Sequence, residues 1–344
     1  MILTAADVPA LQRGCEVLSS GGGGSTIPAA PLLPRVLDLA GGVRVVGAAE
    51  LAPDARLVTV GATGSATIMR ELIPSGEEFV RAIRALERYG HQRFDAVVAL
   101  EIGGCNGMFA AVAAALTGLP LVDGDTMGRA FPQLTQATLF GAVPALPMAL
   151  AKPSGGVVLL DGLAETSIVD TLRDALPSLG GWAGFATFGA PVAACLPHLL
   201  HGSVSRAVSL GARLASPAGR AAATSLWSGT VIEVTRPRLS SGVAVLEGDR
   251  GGHLRIDLAG AYLWAQRDGE PVAVTPDIIA LLDARTLRPV SLLELRPGLH
   301  LRLLTLPAPA ALHADRRRWG PHAYQLIDLP WLPHCRPSPL EAAL

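Results

Sequence analysis

Three short runs of apolar residues punctuate the first third of the chain: Leu57-Val58-Thr59-Val60, Ala96-Val97-Val98-Ala99-Leu100 and Leu119-Pro120-Leu121-Val122. Runs this short and this apolar, bounded by glycine or charge, predict strands buried on both faces, as in a parallel sheet. Between them, Glu77 to Tyr89 spaces Phe79, Ile83 and Leu86 among charges and predicts an amphipathic helix, while Met108 to Leu116 is apolar nearly all round and predicts a buried one. Upstream, Thr4 with Asp7 three positions on marks a helix start, and Val8, Leu11, Cys15 and Leu18 continue it as one apolar face. That helix ends at Ser19 to Thr26, because four consecutive glycines carry a large backbone entropy cost in any regular element. A strand at Gly156 to Leu160 and helices at Ala164 to Ala175 and Ser203 to Leu214 extend the alternation to about residue 220.

From Thr230 the texture changes to short β-like segments: 230–234, 243–246, 254–258, 272–274, 278–282 and 299–304. Gly248-Asp249, Asp268-Gly269 and Pro297-Gly298 separate several of them as turn signals. His253 to Leu258 alternates polar with apolar residues, the mark of a strand with one wet face. The expected fold class is therefore α/β. Residues 1–220 form a layered domain with a mostly parallel sheet, residues 221–344 form a smaller, mostly antiparallel β-rich domain, and the proline-rich end after Leu329 is irregular.

Composition narrows the function classes. Half of the 344 residues are apolar and 17% are charged, which suits a well-packed globular chain. With Lys+Arg 28 against Asp+Glu 29, no charge footprint for nucleic acid or anionic lipid is expected. The longest apolar run, Met108 to Val122, is too short to span a bilayer, and no signal peptide is read at the N-terminus. The one lysine, Lys152, excludes a Gly-Lys-Ser/Thr phosphate loop and leaves a single Schiff-base candidate in a loop-like stretch. Cys15, Cys105, Cys195 and Cys335 form no C-x-x-C pair, so reduced thiols and a cytoplasmic location are expected. Gly21 to Gly24 follows a helix where a dinucleotide fingerprint needs a strand, and no nucleotide cofactor is expected. The apolar composition suits a homo-oligomer.

In open parallel sheets, ligands lie beyond the carboxyl ends of the strands, so the residues after each predicted strand are the candidates. Gly61-Ala62-Thr63-Gly64-Ser65 offers backbone N–H groups to an anion or oxyanion, with Gly61, Gly64 and Ser65 foremost; the alternative is a plain structural junction. Glu101 is followed by Gly103 and Gly104, which let a ligand approach backbone, and by Asn106, which either holds substrate or caps a helix. Asp123 and Asp125, two positions apart, join Glu101 as candidates for activating water or ligating a divalent metal. Arg129 either holds a substrate carboxylate through its planar fork or neutralises Asp125. Gly22 and Gly23 form either a loop over the site or a flexible link. Cys105 is the cysteine best placed for a nucleophile but lacks a histidine partner. His198 and His201, at helical spacing, read as structural before they read as ligands.

The chain resembles the S-methyl-thiohydantoin desulfurase family, proteins associated with hydantoinase/oxoprolinase genes. The resemblance rests on Ser20 to Gly24, Pro74-Ser75-Gly76-Glu77, Glu101-Ile102-Gly103-Gly104 with Asn106, and Asp123-Gly124-Asp125 with Met127 to Pro132, and more weakly on Gly229-Thr230-Val231 and Thr275 to Ile279. Ser25 and Gly320-Pro321-His322-Ala323 depart from the family pattern. The resemblance implies hydrolytic removal of a sulfur substituent from a five-membered ring, with Glu101, Asp123 and Asp125 as base or metal ligands. Asn106 and Arg129 would position the ring, and amides near Gly61 to Ser65 and Gly103-Gly104 would hold developing charge. It leaves open two other readings, a non-catalytic partner of a hydantoinase/oxoprolinase-type enzyme and amide-ring hydrolysis at a metal centre.

Overall fold

The computed structural model describes residues 1–224, 226–238 and 241–320. The chain divides into two compact units: Met1–Val8, Gly24–Met127 and Gln133–Arg206 in the first, and Pro9–Gly23, Gly128–Pro132 and the chain from Ala207 in the second. The expected boundary between 220 and 221 thus meets an interleaved division, in which two early segments are built into the later unit. The irregular end expected after Leu329, and the departures at 321–323, lie outside the described residues.

The first unit is organised on a nine-stranded sheet, counted among the described residues. Its strands are β1 (Ile2–Leu3), β2 (Val43–Val46), β3 (Arg56–Gly64), β4 (Ala96–Ala99), β5 (Leu121–Asp125), β6 (Met148–Ala151), β7 (Val157–Leu160), β8 (Trp182–Pro191) and β9 (Leu200–His201). They run in the order β1-β2-β5-β4-β3-β8-β6-β7, with β9 on β5. The central ladder β2-β5-β4-β3 is parallel and the flanking pairs are antiparallel. Four helices precede or cross between the parallel strands after the leading helix α1 (Val8–Leu18): α2 (Leu32–Ala40), α3 (Ala66–Glu71), α4 (Glu77–Gly90) and α5 (Cys105–Thr117).

Each of these elements has a local cause. At the start of α1 the Asp7 carboxylate accepts from both the N–H (2.9 Å) and the hydroxyl (2.8 Å) of Thr4. The Pro74 to Glu77 motif is the start of α4, where buried Glu78 accepts from the Ser75 hydroxyl (2.8 Å) and the Gly76 N–H (3.1 Å). The apolar stripe of α4 buries Phe79, Ile83 and Leu86, and Phe79 meets Phe109 of α5 with ring centroids 4.9 Å apart; burying one such ring contributes about 2–3 kcal/mol. Cys105 through Ala115 of α5 are all buried, as its uninterrupted apolar surface predicts.

The second unit carries β10 (Ser228–Arg238), β11 (Ser241–Gly248), β12 (His253–Ala259), β13 (Tyr262–Arg267), β14 (Glu270–Val274), β15 (Ile278–Asp283), β16 (Pro289–Val290) and β17 (His300–Leu306). Their order is β14-β13-β12-β11-β10-β17-β15-β16, antiparallel throughout. Val231, Leu246, Leu254, Ile256, Leu281 and Leu301 form its core. Two helices of this unit cross at glycines: a Cβ on Gly14 of α1 would fall 1.9 Å from the Ala207 carbonyl oxygen, and one on Gly211 would fall 1.8 Å from that of Ala10. The fold is thus a two-domain α/β arrangement with a mixed N-terminal sheet and an antiparallel C-terminal one. Among the described residues no helix is long and apolar enough to cross a membrane.

Candidate functional site

β4 is one of the two inner strands of the parallel ladder, and Glu101 stands two residues beyond its end. Its side chain is 3% exposed, a costly place for a carboxylate without hydrogen-bond donors. Asn106, in the first turn of α5, supplies one: its Nδ2 donates to Glu101 Oε1 at 2.6 Å. The Asn106 carbonyl oxygen accepts from the Ala62 N–H at 2.7 Å. A single amide therefore ties the carboxylate to the backbone of β3, and Asn106 does more than cap its helix. Between them, Gly104 adopts φ 70° and ψ −149°, a conformation that excludes side chains and turns the chain sharply into α5. Among the described residues no acceptor takes the N–H of Gly103 or Gly104, so both remain available beside Glu101.

Cys105 lies next to Glu101 and is fully buried. Burial, reinforced by the neighbouring Glu101 charge, pushes its thiol up to about 12, which keeps it protonated and unsuited to attack as a thiolate at neutral pH. Gly24 packs against it: a Cβ there would come 3.0 Å from Cys105 Sγ at a left-handed φ of 75°. The last glycine of the Gly21 to Gly24 run therefore reaches the Glu101 neighbourhood. Nothing in the glycine pattern alone distinguishes Gly24 from Gly22 and Gly23, the two expected at the site.

The paired aspartates do different things. Asp125 is fully buried, and its Oδ2 accepts from the N–H groups of Ile102 (2.8 Å) and Met127 (3.3 Å), so it braces the loop that carries Glu101. Asp123 turns to Ser205, accepting from its N–H at 3.0 Å and from its hydroxyl. Ser205, which the sequence did not single out, is thus the partner that takes Asp123 out of the expected trio. Among the described residues no three His, Cys, Asp or Glu side chains converge as a metal-holding group. Glu101, Asp123 and Asp125 do not converge as a metal-holding set, because Asp123 is directed to Ser205.

Several other expectations are corrected. β3 does not stop at Val60. It continues to Gly64 against β8, with Gly61 opposite Phe185 and Gly64 opposite Trp182. Gly61 is a packing glycine, whose Cβ would sit 2.9 Å from the Phe185 ring, and the Cβ of Gly64 would sit 2.4 Å from the Gly181 carbonyl. The Ser65 N–H donates to Gly181 O at 2.9 Å, and its hydroxyl caps α3 by accepting from Ile68 N at 3.3 Å. These amides are spent within the fold and do not form an anion cradle. Gly22 and Gly23 belong to the second unit, where Gly22 packs on Gly260, 2.4 Å from where its Cβ would be.

Arg129 is also in the second unit and is fully buried. It donates to the carbonyls of Asp277 (2.8 Å), Tyr262 (3.2 Å) and Pro276 (3.4 Å), and to Thr275 Oγ1 (3.4 Å). Its planar fork is thus used to organise the turn at Thr275 to Asp277. Neither of the two roles expected for it, a substrate-carboxylate clamp or a salt bridge to Asp125, accounts for these bonds.

Comparison with known proteins agrees with this architecture. Residues 6–162 match the model of the S-Me-THD-like, N-terminal domain, and residues 164–334 that of the S-Me-THD-like, C-terminal domain. The crystal structure of a protein from Chromobacterium violaceum is similar with a TM-score of 0.80 and 25% identity, over 96% of this chain and 99% of that one. No curated protein matches the chain. Matched by both domain models along nearly its whole length, the chain belongs to the S-Me-THD-like family.

Proposed function

We propose that this chain hydrolyses the exocyclic carbon–sulfur bond of a thiohydantoin-like ring, with Glu101 as general base. The observation that carries the reading is the Glu101–Asn106 pair: a carboxylate 3% exposed, oriented at 2.6 Å by a buried amide, just beyond an inner parallel strand. The family description supports the ring class.

Glu101 takes a proton from a water molecule as its oxygen bonds to the ring carbon that bears sulfur. The ring nitrogen takes up the electron pair of the C=N bond, and the N–H groups of Gly103 and Gly104 stabilise that charge at the N-terminal end of α5. Glu101 then returns its proton to the ring nitrogen; as the C–S bond breaks, the added hydroxyl loses its proton and its electron pair forms the C=O bond, while sulfur leaves with the C–S pair and takes up that proton as a thiol. The ring carbon keeps the oxygen as a carbonyl, so one water is consumed for each thiol released. Asn106 and Asp125 are positioning residues, one holding the carboxylate and the other the loop beneath it. Cys105, kept protonated by burial, takes no part in these steps.

The test is thiol release from S-methyl-thiohydantoin by the purified chain, compared with Glu101→Gln. Loss of a positioned general base should lower kcat by about 10²–10⁴-fold, whereas Asp123→Asn should change it little. Undiminished turnover by Glu101→Gln would overturn the assignment. Thermal stabilisation by the ring with no thiol released would favour the non-catalytic partner of a hydantoinase/oxoprolinase-type enzyme.

A further inference from the structure

In the second unit, the start of β10, the β11–β12 turn and the β13–β14 turn surround a cavity of about 390 Å³. That volume suits a small organic molecule. Trp227 forms one wall. Its indole lies against Gly229 and Gly248, which face each other across β10 and β11. A Cβ on Gly229 would fall 2.6 Å from the ring, and one on Gly248 would fall 3.1 Å from it. Two facing positions without side chains thus make a bed for the indole, which also packs on the core of this unit. A ring held this way has little rotamer freedom left to lose when a ligand stacks on it.

The polar lining is unbalanced. Asp249 accepts from the Ser228 hydroxyl (2.6 Å) and pairs with His300 Nε2 (2.9 Å). The Ser228 hydrogen bond, followed by that of His300, holds its carboxyl below the ordinary value. Asp268 accepts from the His253 N–H at 2.7 Å. Among the described residues the guanidinium of neither Arg250 nor Arg267, which line the same cavity, has a hydrogen-bond or ion-pair partner. Asp249 is engaged through both oxygens and Asp268 through one, while the two guanidinium groups keep about five N–H donors each. Such a lining calls for a ligand rich in acceptors.

We propose that this cavity is a second small-molecule site that binds a planar ring bearing a carboxylate, with the ring against Trp227 and the carboxylate between Arg250 and Arg267. The forked geometry of guanidinium suits a carboxylate, and the cation-plus-aromatic pairing suits a flat anion over an apolar or a spherical one. The site is built wholly from the second unit, whereas Glu101 belongs to the first, so it goes beyond the hydrolytic reading and stands without it.

Calorimetric titration of the full chain with benzoate, benzamide and inorganic phosphate tests the proposal. Saturable benzoate binding is expected, at least about tenfold tighter than benzamide, because a charge-assisted pair is lost with the carboxylate. Arg267→Gln and Arg250→Gln should each weaken benzoate about tenfold without unfolding the chain, since both side chains are exposed. Trp227→Leu should weaken benzoate and leave phosphate unchanged. No saturable benzoate binding, or binding undiminished in the double arginine variant, would overturn the site. Phosphate binding more tightly than benzoate would overturn the ring requirement. Because the readout is binding rather than thiol release, failure here leaves the Glu101 assignment untouched.

Discussion

Asn106→Leu keeps the volume of a side chain only 5% exposed and its place in α5 while deleting both of its hydrogen bonds. The bond to the Glu101 carboxylate is worth about 1.5–3 kcal/mol, as bonds to charged groups are, and the bond from the Ala62 N–H about 0.5–1.5 kcal/mol. Their loss, with the desolvation left behind on the former partners, should destabilise the first unit by about 3–4 kcal/mol. Glu101→Gln alone keeps an oxygen for Asn106 and should cost about 1 kcal/mol. In the double variant the buried charge is gone, so the missing donor costs less. The double should therefore fall short of the sum of the singles by about 1–2 kcal/mol. Urea unfolding of the four proteins, compared at equal slope, measures this coupling. Additivity within about 0.5 kcal/mol would refute the idea that the carboxylate depends on this amide.

Three further outcomes follow from other parts of the fold. At Glu87, burial acts to raise the carboxyl but is outweighed by the Arg84 hydrogen bond, the Phe94 N–H and the charges of Arg84 and Arg93, so its value lies below the ordinary 4.5. The stability it confers is thus fully present above that ordinary value and is lost as pH falls through the folded one. Glu87→Gln should accordingly cost stability at pH 7 and progressively less on acidification, read from urea midpoints; a pH-independent difference would refute this. Cys105, at about 12, and Cys195, at about 11 mainly through burial, should resist iodoacetamide at pH 8 in the native protein and react in urea, as peptide mapping would show. Arg129→Met should lower the melting temperature of the second unit, at a cost of about 3 kcal/mol or more, by leaving the carbonyls of Tyr262 and Asp277 without their donor. KM for a ring substrate should not change in that variant, and a raised KM at unchanged stability would restore a substrate-holding role.

Much of the scaffold is legible because it is local. The apolar runs at 57–60, 96–100 and 119–122 predict the parallel strands, and the Phe79, Ile83 and Leu86 spacing predicts α4. Thr4 with Asp7 and the turn signals at Gly248 and Asp268 are fixed by short-range hydrogen bonding and backbone conformation. Less legible is whatever depends on a distant partner. Gly61 to Gly64 reads as a loop until β8, more than a hundred residues later, pairs with it. Asp123 and Asp125 look equivalent in sequence and are separated by Ser205 on one side and Ile102 on the other. Arg129 carries a substrate-binding residue type, and the carbonyls of Tyr262, Pro276 and Asp277 that it donates to lie beyond residue 260. At the site, Glu101 and Asn106 were recognisable because a carboxylate after an apolar strand and an amide at a helix start each have few physical explanations.

The threading of Pro9–Gly23 and Gly128–Pro132 into the later unit has a consequence for dissection. Tyr262 and Leu292 donate backbone bonds to Ser20 and Gly21, Ile279 donates to the Ser20 hydroxyl, and Arg129 holds the Tyr262 and Asp277 carbonyls. A gene fragment opening at 164, where the second family model begins, would encode a sheet stripped of all of these supports. Cutting the chain at that point would therefore leave the later unit without backbone partners that only the earlier sequence supplies.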